Sequence, residues 1–246
     1  MIRAILFDLG NTLLEYEARP SADLFHDVVT RLREQLVHEG TELPDEASLI
    51  REFDRVFVRL GAQDSGGSGS AVLESLAATL ESAGVSRTFV ELPAVVEACY
   101  RAVSAQVVVY PDTLSTLIEL KQAGLRLGVV ANTVWPKELH RRDLARFEML
   151  SLFDGTWFSS DLGVAKPDPA IFARVLGELD VEAEEAIYVG DDPATDIAGA
   201  QAAGIRSVLK FHPLQSKLPR GVRPDAKVDA LNRLPALVES WNPALA

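Results

Sequence analysis

Three short apolar runs, each ending in a polar residue and a turn, constrain this chain more than any other feature. IRAILF over residues 2–7 stops at Asp8 and is bounded by Gly10-Asn11. LRLGVVAN over 125–132 stops at Asn132, and EAIYVGDD over 185–192 stops at Asp191-Asp192. Unbroken apolar runs of this length, bounded by turn residues, read as strands buried on both faces. Between and after them the pattern has helical spacing. One helix is expected from near Pro111 to Gly124 and another over KPDPAIFARVLGELD, residues 166–180, with prolines in its first turn. A third follows in ATDIAGAQAAG, residues 194–204. GTWFSSD (155–161), IRSVLK (205–210) and Ala226–Val228 supply further strand candidates, and a last helix closes the chain. Strand and helix in alternation predict an α/β fold: a doubly wound, parallel, Rossmann-like sheet. In such a sheet the carboxyl ends of the strands meet at one edge, where sites are built.

The segment from 15 to 106 breaks this rhythm. SADLFHDVVTRLREQLVHEG (21–40), PDEASLIREFDRVFVRLG (44–61), AVLESLAATLESAG (71–84) and a stretch near 88–105 all have helical spacing. DSGGSGS (64–70) is a flexible loop without the GxxxxGK[ST] phosphate pattern. No strand is expected between 15 and 106. The domain organisation predicted is a core of 1–14 and 107–246 with an inserted all-helical unit at 15–106.

Charge and cysteine usage narrow the function classes. With 24 Lys and Arg against 36 Asp and Glu, the net charge is −12. That field repels nucleic-acid phosphate and anionic membrane surfaces, so neither is expected as a partner. The lone cysteine, Cys99, cannot form an intrachain disulfide and is read as a core residue. No apolar run approaches the ~20 residues of a membrane span, and no signal peptide is evident. The cytoplasm is the expected compartment. His26, His38, His140 and His212 are scattered, without zinc-ligand spacing. Arg141, Arg142 and Arg146 are read as a solvated basic face, and Arg19 as exposed.

Four motifs stand in order: FDLGNTL (7–13), VVANT (129–133), KPDP (166–169) and GDDPATD (190–196). With them the chain resembles the haloacid dehalogenase-like hydrolase superfamily, over about 1–14 and 107–230. The helical insert resembles that superfamily's C1 cap. The residue chemistry agrees. Asp8 is expected to be a carboxylate nucleophile that forms an aspartyl-phosphate. Lys166 supplies a fixed positive charge beside it. Mg²⁺ favours hard oxygen ligands, which Asp8 and Asp191 provide. The resemblance adds the backbone carbonyl of Gly10 as a metal ligand. Asp192 and Asp196 are expected to orient Asp191 or metal-bound water. Asn11, Thr12, Asn132 and Thr133 are the candidates to contact a phosphate.

Two positions depart from the family pattern. Gly10 stands where an aspartate, two residues after the nucleophile, normally protonates the leaving group and later activates water. Loss of a general acid–base group typically costs ~10²–10⁴-fold in rate. Ala131 stands where Ser or Thr usually bonds the phosphoryl group, and Thr133 replaces it only if the strand ends early. The leading expectation is a Mg²⁺-dependent phosphatase acting on a small phosphorylated molecule, as monomer or homodimer. Two alternatives stay open. One is a 2-haloacid dehalogenase, which the acidic fourth motif opposes. The other is a weakly catalytic protein that binds phosphoesters or a partner. A phosphonatase needs a cap lysine, and no lysine precedes Lys121. A mutase needs the acid/base that Gly10 lacks.

Overall fold

The computed structural model describes residues 1–16, 92–213 and 215–242, with isolated positions between 26 and 81. The helices expected over 21–40, 44–61 and 71–84 and the loop at 64–70 lie almost entirely outside the described residues, as does Arg19.

Six parallel strands form the central sheet: β1 (Ala4–Phe7), β4 (Arg126–Ala131), β5 (Gly155–Phe158), β6 (Ala186–Gly190), β7 (Arg206–Lys210) and β8 (Ala226–Val228). Their order across the sheet is β5-β4-β1-β6-β7-β8. The doubly wound α/β fold predicted from the β/α alternation is therefore what the chain adopts. β1 lies between β4 and β6, with Phe7 opposite both Val129 and Val189. The three strands run parallel, so Asp8, Asn132 and Asp191, each just past a carboxyl end, lie at one edge of the sheet.

Alternation along the strands divides the core into two layers. Ile5, Phe7, Val129, Ile187, Val189 and Val208 face one way. There they pack against helix α2 (Thr113–Gln122), through Leu117 and Leu120, and helix α7 (Leu234–Trp241), through Leu234 and Val238. Ala4, Leu6, Val130 and Tyr188 face the other way, onto Ile171, Phe172 and Val175 of helix α5 (Pro169–Leu179). Fully burying a Leu or Phe contributes ~1.5–3 kcal/mol. The two layers therefore hold the strand ends rigidly beneath the site. Asp168 caps α5 by accepting from Ala170 N–H at 2.9 Å, with Pro169 in the first turn.

The insert expectation needs one correction. Leu14–Tyr16 (β2) pairs antiparallel with Val107–Val109 (β3), so a strand does reach beyond residue 15. Three residues carry too little periodicity to announce a strand. The partner that satisfies their backbone lies some ninety residues away in sequence and was not visible locally. Helix α1 (Leu92–Ser104) matches the last helix expected before the core. Cys99 is buried within it, and burial pushes its thiol up to about 12, consistent with an inert core position. The Arg141, Arg142 and Arg146 face, on helix α3 (Lys137–Arg146), is more than solvated. Arg142 meets Glu97 of α1 at 2.8 Å, Arg146 donates to the Ser104 carbonyl at 3.0 Å, and Arg141 donates to Thr156 at 2.9 Å. Among the described residues, no helix is long and apolar enough to cross a membrane.

Candidate active site

Lys166 is the centre of the site. Its ammonium is buried and donates three bonds, each 2.6 Å long: to Asp8 Oδ1, Asp196 Oδ1 and the Tyr188 hydroxyl. An ammonium has three N–H groups, so all are used and the side chain is held as a tripod. Burial alone would strip its proton, but Asp196 and Asp8 outweigh that effect and hold it above the ordinary lysine value. Tyr188 in turn donates to the Val130 carbonyl at 2.8 Å.

The main chain of Lys166 is held as well. Asn132 accepts from Lys166 N–H at 2.9 Å and donates to the Lys166 carbonyl at 2.8 Å. The strand-end asparagine thus brackets the main chain of the lysine.

Asp8, Asp191 and Asp196 each place a carboxylate oxygen within 4.8 Å of the others. Burial, reinforced by Asp196 and Asp191 and opposed by Lys166, raises Asp8 to about 7. Burial and Asp196 raise Asp191 to about 6, while a hydrogen bond from the Asn11 side chain opposes the rise. Three clustered carboxylates against one ammonium leave surplus negative charge in a poorly solvated place. A hard divalent cation suits such a donor set.

Asp196 holds both a charge and a turn. Its Oδ2 accepts the Asp192 N–H at 2.9 Å while Oδ1 takes Lys166. It lies in a single wide turn, Pro193–Ile197, which the Asp192 carboxylate caps by accepting from Ala194 N–H at 2.7 Å. Asp192 is therefore a cap of the turn, and Asp196 is the residue that fixes the lysine. Gly190 makes this packing possible. A Cβ there would lie 2.3 Å from Asp196 Oδ2 and 2.4 Å from its carboxyl carbon.

Two further candidates for phosphate contact, Thr12 and Thr133, have other surroundings. Thr12 is completely buried, and its hydroxyl has no hydrogen-bond partner among the described residues. Thr133 does not take up the position left by Ala131. Strand β4 runs through Ala131 rather than ending early. The Thr133 hydroxyl is 2.7 Å from His140 Nε2 and accepts from Trp135 N–H at 3.1 Å. His140 continues through Tyr100 at 2.9 Å to Asp143 at 2.7 Å, and Ser104 donates to Asp143 at 2.5 Å. Tyr100 gives its proton to Asp143. His140 Nδ1 must then donate to Tyr100, and Nε2 must accept from Thr133. Burial drives His140 down to about 3, so it is neutral.

Three residues at or near this edge were missed from sequence. Tyr188 sits in an otherwise apolar, fully buried strand, where a phenol needs a partner for its hydroxyl. That was a usable signal. Lys210 ends β7 as Asp8 ends β1, one strand beyond β6, which was a second signal. His140 carried none, because Tyr100 reaches it from a helix 40 residues away and Thr133 from the loop before its own helix.

Comparison with known proteins agrees with this geometry. A family model described as haloacid dehalogenase-like hydrolase matches residues 2–204, a span that includes Asp8, Lys166, Asp191 and Asp196. A glyceraldehyde 3-phosphate phosphatase of Methanopyrus kandleri is 30% identical, over 93% of this chain and 94% of the relative. A ribulose-1,5-bisphosphate 5-phosphatase of Halopiger xanaduensis is 30% identical, over 85% of this chain and 84% of the relative. The solved structure of a 2-haloacid dehalogenase from Pseudomonas syringae pv. Tomato DC3000 superposes with a TM-score of 0.71 at 25% identity. That match covers 98% of this chain and all of the other. With a buried lysine joining Asp8 to Asp196 and a family match over most of its length, this chain belongs to the haloacid dehalogenase-like hydrolases.

Proposed function

We propose that the chain is a phosphatase that hydrolyses a small phosphoester through an aspartyl-phosphate on Asp8. The observation that carries this reading is the tripod of Lys166 on Asp8, Asp196 and Tyr188 beside a third carboxylate, Asp191. Asp8, the Gly10 carbonyl and Asp191 are the groups that would hold Mg²⁺. Mg²⁺ there supplies the positive charge that offsets the phosphate oxygens and the surplus carboxylate charge.

In the first step a carboxylate oxygen of Asp8 bonds to phosphorus as the bond from phosphorus to the leaving oxygen breaks. Lys166 keeps Asp8 aimed and neutralises charge on the transferred group. In the second step water attacks phosphorus, the Asp8–phosphorus bond breaks, and phosphate leaves with Asp8 restored. Asn11 and Asn132 act by holding Asp191 and Lys166 in place. Residues 15–106 are read as a C1-type cap over the site, which excludes water and selects the substrate.

Gly10, in the position of the family's second aspartate, offers no carboxyl to protonate the leaving oxygen. Good leaving groups, such as aryl or acyl phosphates, should therefore react faster than alkyl phosphates. The relatives named for glyceraldehyde 3-phosphate and ribulose-1,5-bisphosphate make sugar phosphates the alkyl class to compare. The test is release of phosphate from an aryl, an acyl and a sugar phosphate, with Mg²⁺ or with EDTA, and with Asp8→Asn as control. Turnover that needs both the metal and Asp8 supports the proposal. Metal-independent chloride release from a 2-haloacid, without phosphate release, replaces it with the dehalogenase reading. That reading draws on the structural likeness to a 2-haloacid dehalogenase.

A further inference from the structure

Lys210 is a buried cation that the phosphatase reading does not use. It ends β7, beyond the residues matched by the family model. Its Nζ donates to the main-chain carbonyl of Asn11 at 3.0 Å and lies 3.6 Å from the centre of the Tyr110 ring. A buried ammonium is costly unless its surroundings compensate it. Here burial pulls its proton affinity down, while Asp191, Asp112 and Glu15 pull it up.

Two routes lead from this lysine to Asp191. Asn11 sits in the left-handed region, with φ 55°, and its side chain hydrogen-bonds the Asp191 carboxylate. Gln215 Nε2 donates both to the Lys210 carbonyl, at 2.9 Å, and to the Asp191 carbonyl. Lys210 therefore fixes the backbone of the residue that orients the carboxylate. The loop that follows Lys210 is thus tied, through Gln215, to the main chain of Asp191.

We propose that Lys210 is a positioning residue for divalent-cation binding, acting through Asn11 to hold the Asp191 carboxylate in its ligating orientation. The inference rests on the reading of Asp191 as a metal ligand. Positioning and bare electrostatics predict opposite signs. Removing a positive charge near a cation site should tighten Mg²⁺ binding if charge alone matters. Removing the hold on Asn11 should weaken it, as loss of an outer partner of a ligand typically costs ~10–100-fold in affinity.

Titration calorimetry with MgCl₂ alone, in phosphate-free buffer, separates them. The variants are Lys210→Met, Asn11→Gly, the double variant and Asp191→Asn. Glycine is chosen at residue 11 because it tolerates the positive φ. We expect the Kd for Mg²⁺ to rise ~10-fold or more in Lys210→Met and in Asn11→Gly, with the double variant no weaker than Asn11→Gly. Phosphoester turnover should recover at saturating Mg²⁺, which a generally damaged fold would not allow. Unchanged or tighter Mg²⁺ binding in Lys210→Met overturns the proposal, and additive losses in the double variant overturn the route through Asn11. If Lys210→Met does not fold, Tyr110→Leu removes the aromatic face from the ammonium without changing charge. A several-fold weaker Kd supports the proposal, and an unchanged Kd overturns it. Asp191→Asn separates the two layers. If it leaves Mg²⁺ binding intact, the metal-site reading fails with the inference. If it abolishes binding while Lys210→Met does not weaken it, only the inference fails.

Discussion

Replacing Asp8 by Asn should abolish turnover and yet stabilise the metal-free protein. Burial and the neighbouring Asp196 and Asp191 raise the Asp8 carboxyl from 3.8 to about 7, even with Lys166 in contact. At about 1.4 kcal/mol per pKa unit, ionising Asp8 in the folded chain costs at most about 4 kcal/mol above pH 7. Asparagine has nearly the same shape and carries no such penalty, so a gain of about 2–4 kcal/mol is expected. For a chain of this size that is roughly 5–15 °C in melting temperature. The pH dependence carries the argument. Between pH 3.8 and about 7 the folded protein holds a proton on Asp8 that the unfolded chain has released. Wild-type stability therefore falls, relative to the variant, as pH rises through this window. Below about pH 4 both forms carry the proton and the difference should vanish. The assay is thermal melting from pH 4 to 8 in EDTA, repeated with Mg²⁺, which should stabilise the wild type more than the variant. A variant that melts lower at pH 8 in EDTA, or a difference that does not change with pH, would refute the account of the charge cluster.

Four further outcomes follow from the same geometry. Tyr188→Phe removes one of three acceptors from Lys166 and the donor to Val130, and should lower stability by ~1–3 kcal/mol in denaturant titration, with reduced kcat; an unchanged midpoint would contradict it. Gly190→Ala should force Asp196 away from Lys166, costing ~1–3 kcal/mol and nearly all turnover, so an active variant would show that the contact relaxes elsewhere. His140, neutral when folded, takes up a proton only on unfolding between its ordinary 6.5 and about 3, so wild-type stability should drop by up to about 1.4 kcal/mol per pH unit as pH falls through that window, relative to His140→Gln; parallel pH profiles for the two proteins would sink this. Gly10→Asp should raise turnover of alkyl phosphates by ~10²-fold or more over the wild type with little effect on aryl phosphates; an equal response for both classes would remove leaving-group protonation from the scheme.

The family and the core of the fold were legible in sequence because both are local. Buried parallel strands must be continuous apolar runs, so Ala4–Phe7, Arg126–Ala131 and Ala186–Gly190 announced themselves. Their terminal residues announced the edge at which a site forms, and Asp8, Lys166, Asp191 and Asp196 do meet there. The division of labour among those residues was not legible. Sequence cannot say that Asp192 caps a turn while Asp196 carries the lysine, because both stand near the start of one helical segment. Nor can it say that Asn132 clamps a main chain, that Thr133 turns to His140, or that Thr12 is sealed in the core. The contacts of the lysine depend on partners far away in sequence, 34 residues from Asn132, 30 from Asp196 and 158 from Asp8. The short strand Leu14–Tyr16 escaped for the same reason, since its hydrogen bonds go to residues 107–109. Periodicity and turn chemistry report on neighbours along the chain, and so they determined the strands, their order of appearance and the residues at their ends. Which hydrogen bonds each buried polar group makes is settled only when packing removes water and leaves one set of partners within reach.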